Sequence, residues 1–377
     1  MKLTFGLIAW WLVWLCTSIW LKYENSVSEK TVVLIVIMCV GLLTGSVVGV
    51  FTPKLKLINA RGFESTFGFF LKSIVVLQFI WIIYIYQINK INFSDVRSIF
   101  FYQPEILGGH KFVVYLYIHL LIPAYVFVNC YFLACNNFSR IFKFSLLFAC
   151  FDVLICAGRF TIYYFIFFQA YSVIKNNFER AAYLFLGGAT ILLLSFSVYT
   201  LRYGAGISFD YLSYVKYLEK SLIYYHTAPF YLLSKLLDEY QFESSGYMSL
   251  GFADYVFYLL FPEAGKSDFA LVGDRLNNII VYIDGNTYNA FSTIIFPVYY
   301  DFNMIGVFIY FGIMGFFLGW SSKARNGNSS TLEIFLVFIL FFGLFMPVNT
   351  SSLFFMTLFF VITNRLLRVR SLSNSTS

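Results

Sequence analysis

An all-α, polytopic integral membrane protein is the fold class this sequence predicts, and three observations carry it. Hydrophobic residues make up 60% of the 377 and charged residues 12%, against about 45–50% and 25% in soluble domains. The apolar residues come in runs close to the roughly 20 that take a helix across a hydrocarbon core of about 30 Å. Charge returns between the runs, above all in one interval from Arg202 to about Phe302. Between Arg202 and Thr293 it holds six basic and ten acidic residues, a local net of −4 in a chain whose total is +7.

Taken in order, the expected spans are Leu3–Leu21, Thr31–Phe51, Phe69–Ile88, Phe112–Ala134, Phe142–Ala157, Phe160–Ile174, Tyr183–Thr200, Asn303–Trp320, Thr331–Met346 and Ser351–Leu367. That makes about ten transmembrane helices. Seven lie in an N-terminal bundle (1–200) and three in a C-terminal bundle (303–377) with a short tail, separated by one large loop (201–302). Lys2 precedes the first run as in a signal peptide, but no small-residue cleavage site follows, so the run is expected to be retained.

Basic residues set the orientation. With the N-terminus inside, fourteen of the 26 Lys and Arg fall on inner segments, among them Lys54, Lys56, Arg61, Arg140, Lys323, Arg325 and the cluster Arg365, Arg368 and Arg370. Dropping the short sixth span would turn Lys323, Arg325 and that cluster outward. Ten spans, both termini inside and the large loop outside satisfy the rule.

Within the loop, Leu212, Val215, Leu218 and Leu222 recur at helical steps. Pro229 opens a second apolar run, Phe230–Leu237, as a proline at the first position of a helix would. The two stretches predict an amphipathic helical hairpin lying on the membrane, with His226 near its turn. Phe252–Phe261 is a third such stretch.

Chemistry-bearing residues are few. Arg159 and Arg202 lie at span ends on the outer side, where arginine is less expected; the planar guanidinium fork suits a phosphate. Arg275 has Asp274 beside it. Of three histidines, His226 is the one placed for general-base work near neutral pH. Asp152 is a carboxylate inside the fifth span, and intramembrane acids face a cavity or a partner. The six cysteines sit in or beside apolar runs without disulfide or zinc spacing. No cofactor, metal or nucleic-acid partner is expected.

The stretch DGNTYNAFSTIIFPVYYDFNMIGVFIYFGIMGFFLGW, Asp284 to Trp320, resembles the oligosaccharide repeat unit polymerases of bacterial O-antigen and capsule synthesis, the Wzy-type family. In that family an asparagine–tyrosine segment leads through an aromatic turn with an acidic residue into a Gly-rich span. The matching residues are Asn286, Thr287, Tyr288, Asp301, Gly306, Gly312, Gly315 and Gly319. Ala157–Arg159 and the position of the large loop also look like the family.

The resemblance implies a metal-independent glycosyltransferase on the outer face of the bacterial inner membrane. A glycan on undecaprenyl pyrophosphate would pass to a hydroxyl of a new lipid-linked repeat unit. Arg159, Arg202 and then Arg275 would hold the departing pyrophosphate, with Asp152 a further substrate-site candidate. His226, or second Asp284, would take the acceptor proton. Asn286, Thr287 and Tyr288 bind sugar hydroxyls or form the turn into the eighth span. Membrane lipids, a flippase and a chain-length regulator would be its partners. The competing readings are an O-antigen ligase of similar topology and a flippase of the same lipid-linked sugar.

Overall fold

The computed structural model describes residues 1–21, 23, 25–53, 63–103, 106, 111–158, 160–176, 196, 211–240, 246–261, 263, 279–288, 293–322 and 331–373. Five helices among them are long and apolar enough to cross a membrane: Lys2–Leu21, Glu29–Phe51, Glu64–Ile88, Phe112–Ala134 and Ile295–Ser321. They answer to the first, second, third, fourth and eighth expected spans. Shorter helices stand at the fifth, sixth, ninth and tenth. The seventh, Tyr183–Thr200, lies outside the described residues apart from Phe196. The chain is therefore an all-α polytopic membrane protein. It divides into two compact units, Met1–Leu57 with Glu219–Leu358 and Ile58–Leu218 with Phe359–Ser377.

The first unit is built on α1 (Lys2–Leu21), α2 (Glu29–Phe51) and α12 (Ile295–Ser321). Ser28 caps α2, its hydroxyl accepting from the Thr31 amide at 3.3 Å, and Glu29 sits in the first turn where the helix dipole favours it. α1 runs against α2, the Thr4 and Ser46 hydroxyls sharing a hydrogen bond of 2.8 Å. α2 and α12 touch backbone to backbone. A methyl placed on Gly45 would overlap the Gly312 carbonyl, on Gly49 the Phe316 carbonyl, on Gly315 the Leu42 carbonyl and on Gly319 the Ser46 carbonyl. Small residues at helix interfaces allow this approach where lipid supplies no hydrophobic drive between helices. The contacts advance in step along both helices, so α2 and α12 run in the same sense.

α12 is two helices in one. The expected eighth span starts at Asn303; the helix instead starts at Ile295 and breaks at Asn303, where φ is 60° and ψ −167°. That backbone region is open almost only to glycine. The Asn303 Oδ1 takes the Met304 amide at 2.7 Å and secures the bend. Ile295–Asp301, the arm before the bend, is buried on every side, whereas the span after it keeps an exposed apolar face.

The expected hairpin on the membrane does not form. α9 (Tyr211–Glu219), a π turn (Lys220–Tyr224) and α10 (Tyr225–Glu239) follow one another without interruption. Pro229 lies inside α10 rather than opening a helix, and His226 is not at a turn. A proline removes one amide and crowds the carbonyl four residues back; the π turn just ahead of it loosens the helix there. Pro123 repeats the arrangement behind the π turn Tyr117–Leu121. The Leu212, Val215 and Leu222 stripe is exposed, while Tyr217 on another face is buried. α10 climbs beside α1 toward its Leu21 end. His226 packs on Trp10 and Trp14, Tyr231 donates to the Ser18 carbonyl at 2.7 Å, and Ser234 meets the Thr31 hydroxyl at 2.8 Å. Lys30 closes the far end, its Nζ 3.1 Å from the Leu237 carbonyl in the last turn and 4.9 Å over the Tyr299 ring.

α11 (Gly251–Leu260) follows a turn at 247–250, and its Phe252 ring stacks on Phe355. α13 (Thr331–Phe342) has 12 residues, about 18 Å of rise, and ends four residues before the expected ninth span does. Its chain turns at Gly343, whose carbonyl takes the Ile294 amide at 2.7 Å. α14 (Ser352–Ser373) follows a short 3-10 turn.

The second unit packs α3 (Glu64–Ile83, with a π turn to Ile88), α4 (Phe93–Tyr102), α5 (Lys111–Leu116), α6 (Ile122–Ala134), α7 (Phe142–Cys156) and α8 (Phe160–Asn176). Rings fill its centre: Tyr125 stacks on Phe148 at 4.2 Å, and Tyr117 lies edge-on to Trp81 and Phe100. Its polar side chains answer one another. The Ser145 hydroxyl donates to Asn129 Oδ1 at 2.7 Å, and the Asn129 amide donates to the Tyr125 carbonyl at 2.8 Å.

Candidate functional site

The large interval holds the only strands among the described residues, β1 (Val281–Ile283) and β2 (Asn286–Tyr288), paired antiparallel with Ile283 opposite Asn286. The loop between them is Asp284–Gly285, with φ of 50° and 69°. Positive φ at both positions is what a two-residue type I′ hairpin turn requires, and Asp-Gly is a favoured pair for it. Val281 and Ile283 point inward and Tyr282 outward. The free edge of β1 is tied down: Lys235 donates to the Ile280 carbonyl at 2.7 Å and the Asn25 amide to the Tyr282 carbonyl. The hairpin is thus fixed to α10 and to the segment that leaves α1.

Its tip presents Asp284 to the exterior, and Tyr224 donates to Asp284 Oδ2 at 3.2 Å. Burial, then Glu219, then Asp284 hold the Tyr224 phenol above its ordinary pKa, so it stays a donor. Tyr23 lies edge-on to Tyr224 at 5.2 Å and is raised for the same reasons in the same order. Tyr225, the next residue, meets the buried Tyr288 ring edge-on at 5.6 Å. Asp284, Tyr288 and the backbone of Asn286 and Thr287 therefore share one hairpin. Asn286 and Thr287 belong to a strand, not to a turn entering the eighth span, and their side chains lie outside the described residues.

His226 points elsewhere. Its imidazole stacks on Trp14 (4.3 Å, 22°) and meets Trp10 (5.3 Å, 88°) and Phe345 (5.3 Å, 74°) edge-on. Nδ1 is 2.6 Å from the Leu222 carbonyl. A carbonyl only accepts, so Nδ1 carries the proton and Nε2 keeps the lone pair. Burial pushes the imidazole down to about 4, partly offset by the Leu222 carbonyl. The ring is neutral at pH 7, and its basicity is far below that of an ordinary histidine. Trp14 is seven residues, about 10 Å of rise, before the Leu21 end of α1. The base expected in an outer loop is instead set beside the middle of a span.

Two buried carboxylates complete the inventory. Asp152, in the second unit, is 2% exposed. Tyr117 donates to Oδ1 at 2.6 Å and Thr161 to Oδ2 at 2.5 Å, with the Cys156 thiol 3.6 Å from Oδ2. Gln78 donates to the Tyr117 hydroxyl at 2.8 Å. Lone pairs answered in this way, at this burial, leave no face for a substrate. Asp301, in the first unit, is fully buried and takes the Met248 and Ser249 amides at 3.3 and 2.5 Å. It clamps the turn that leads into α11.

Arg159, Arg202 and Arg275 lie outside the described residues. No group of three or more His, Cys, Asp or Glu able to hold a metal occurs among the described residues. Sequence reasoning overlooked the hairpin, although Asp-Gly between alternating apolar residues signals one. It also passed over Trp10 and Trp14, whose four-residue spacing places them on one helix face.

Compared with known proteins, the chain matches no family model, no curated protein and no solved structure.

Proposed function

We propose that this chain is a glycosyltransferase of the bacterial inner membrane that joins undecaprenyl-pyrophosphate-linked oligosaccharide repeat units into O-antigen or capsular polysaccharide. The resemblance of Asp284–Trp320 to the Wzy-type polymerases supports the reading. The observation that carries it furthest is Asp284, an exposed carboxylate held on a rigid turn beside a phenol at the Leu21 end of α1. In the proposed topology that end is the outer face, and both termini are cytoplasmic.

Asp284 replaces His226 as the preferred base because of its position. His226 lies about 10 Å of helix rise below the end of α1, whereas reacting sugars sit at headgroup level. In the reaction, the acceptor hydroxyl oxygen bonds to the anomeric carbon of the growing glycan as the anomeric carbon–pyrophosphate oxygen bond breaks. The hydroxyl proton passes to Asp284 and then to solvent, and undecaprenyl pyrophosphate departs. Arg159, Arg202 and Arg275 are proposed to meet the developing charge on that leaving group, as guanidinium forks do.

Purified protein in lipid nanodiscs, given one lipid-linked repeat unit, should convert it to a ladder of longer products. Asp284→Asn should lower the rate by about 10²–10⁴, the usual contribution of a positioned base, with protein level unchanged. A ladder from Asp284→Asn at the wild-type rate moves the base elsewhere. No ladder from the wild type, but transfer onto lipid A, makes the chain a ligase; sugar movement across the bilayer without bond formation makes it a flippase.

A further inference from the structure

Asp284 stands on an exposed tip, and a carboxylate there turns easily about its last side-chain bond. A general base, by contrast, works from one geometry, within hydrogen-bond reach of the proton it takes. The group that restrains this carboxylate is Tyr224, whose hydroxyl donates to Oδ2 at 3.2 Å. Tyr224 is itself well anchored. It is 5% exposed, and the Tyr23 ring meets it edge-on at 5.2 Å. Burial and the neighbouring carboxylates of Glu219 and Asp284 keep the proton on the phenol, so it remains a donor.

The hairpin does not need that bond to stand. Lys235 and Asn25 already hold β1 through the Ile280 and Tyr282 carbonyls, and the Asp-Gly pair supplies the turn. The direction of Tyr224 is set by the π turn Lys220–Tyr224. There the Tyr225 amide reaches back to the Lys220 carbonyl, across one residue more than in an α-helix, an arrangement frequent at functional sites. The inserted residue turns all that follows by about 100° relative to Tyr211–Glu219. Tyr224 closes this turn, and its hydroxyl reaches the hairpin tip.

We infer that Tyr224 is a positioning residue for glycosyl transfer, its hydroxyl locking the rotation of the Asp284 carboxylate so that the same oxygen meets the acceptor hydroxyl in every cycle. The inference rests on the glycosyltransferase reading and on Asp284 as its base. Tyr224 keeps its own proton throughout, while the acceptor proton passes to Asp284 and then to solvent. The bond therefore acts on the rate of the chemical step and not on how tightly the repeat units are held.

The test uses the full chain in lipid nanodiscs, given one lipid-linked repeat unit. Tyr224→Phe keeps the ring against Tyr23 and removes only the hydroxyl. It should lower kcat for the ladder by about ten- to a hundredfold, the worth of a hydrogen bond to a charged group, with KM unchanged. In an Asp284→Asn background the same change should cost nothing further, because the carboxylate it served is gone. A tyrosine that only held the fold would cost the same in both backgrounds. The bond itself is read without turnover, from the ¹³C resonance of the Asp284 carboxyl, assigned by its loss in Asp284→Asn. That resonance should move in Tyr224→Phe. A resonance that stays in place, or equal losses of kcat in the two backgrounds, overturns the inference. So does wild-type kcat in Tyr224→Phe, which leaves Asp284 as the base if Asp284→Asn is slow. A wild type that makes no ladder removes the polymerase reading and the role of Tyr224 with it, even where the resonance moves and the bond is present.

Discussion

Asp301 in the first unit and Asp152 in the second are both buried carboxylates, yet they are answered by different kinds of donor. Asp301 takes chiefly the backbone amides of one turn, at 3.3 and 2.5 Å, with the Ser249 hydroxyl beside them. Asp152 takes the hydroxyls of Tyr117 and Thr161, at 2.6 and 2.5 Å. A backbone amide is fixed and can only donate, whereas a hydroxyl rotates and can also accept. The same contrast runs through the packing. In the first unit, the atoms facing Gly45, Gly49, Gly315 and Gly319 are backbone; in the second, the nearest atom to Gly68 is the end of the Phe132 ring at 3.7 Å. The α2–α12 contact of the first unit is therefore specified by where the backbones lie, whereas the interior of the second unit is specified by which side chains meet.

The sharpest way to break this contrast is a methyl group. Gly45→Ala sets a methyl against the Gly312 carbonyl, which cannot move without parting α2 from α12, so a loss of about 3 kcal/mol or more is expected, at or above the upper end of overpacking costs. Gly68→Ala meets only ordinary van der Waals contact and should stabilise by about 0.5–1 kcal/mol through helix propensity. Thermal unfolding of detergent-solubilised protein, followed by size-exclusion chromatography, reads both. Similar melting temperatures for the two variants would dissolve the distinction between the units.

The carboxylates come next. Asp301→Asn turns one acceptor into an NH₂ facing fixed N–H donors, and should cost about 2–3 kcal/mol, the range for unanswered partners of a charged group. Asp152→Asn should cost less, about 1 kcal/mol, because Tyr117 or Thr161 can rotate its hydroxyl and accept from the new amide. The order of the two melting temperatures decides the matter, and Asp152→Asn as the more damaging change would refute it. The smallest effect is expected from Thr161→Val, which removes one of the donors to Asp152 while nearly keeping shape; about 0.5–1.5 kcal/mol should be lost by the same measurement.

Much of the architecture was legible in the chain because a bilayer constrains it so strongly. Runs of about 20 apolar residues locate spans from length alone, and five of them match helices within a few residues at most ends. The bend at Asn303 coincides with the residue where the expected eighth span begins. Periodicity failed in the charged interval. Leu212, Val215 and Leu222 do lie on one helix face, but that face is exposed, because an apolar stripe beside lipid need not point to protein. Pro229 misled for a related reason: a preceding π turn lets a helix run through a proline.

The candidate site divides in the same way. Composition and the order of charges determined that the chain is a polytopic membrane protein and that one long interval carries its acids. The Asp-Gly pair also encodes its own turn, since two successive positive φ angles are a local demand. Only the tertiary structure decided which residues meet. Tyr224, Tyr225 and His226 are neighbours in sequence, but about 100° of rotation per residue sends the first two to the hairpin and the third to Trp10 and Trp14. Asp152 reads in sequence as an acid awaiting a ligand or an arginine. Tyr117 and Thr161, on two other segments of the second unit, supply its donors instead, and no local pattern records that convergence. Side-chain partners separated by 35 residues, as Tyr117 and Asp152 are, are chosen by packing, which acts after the spans have formed.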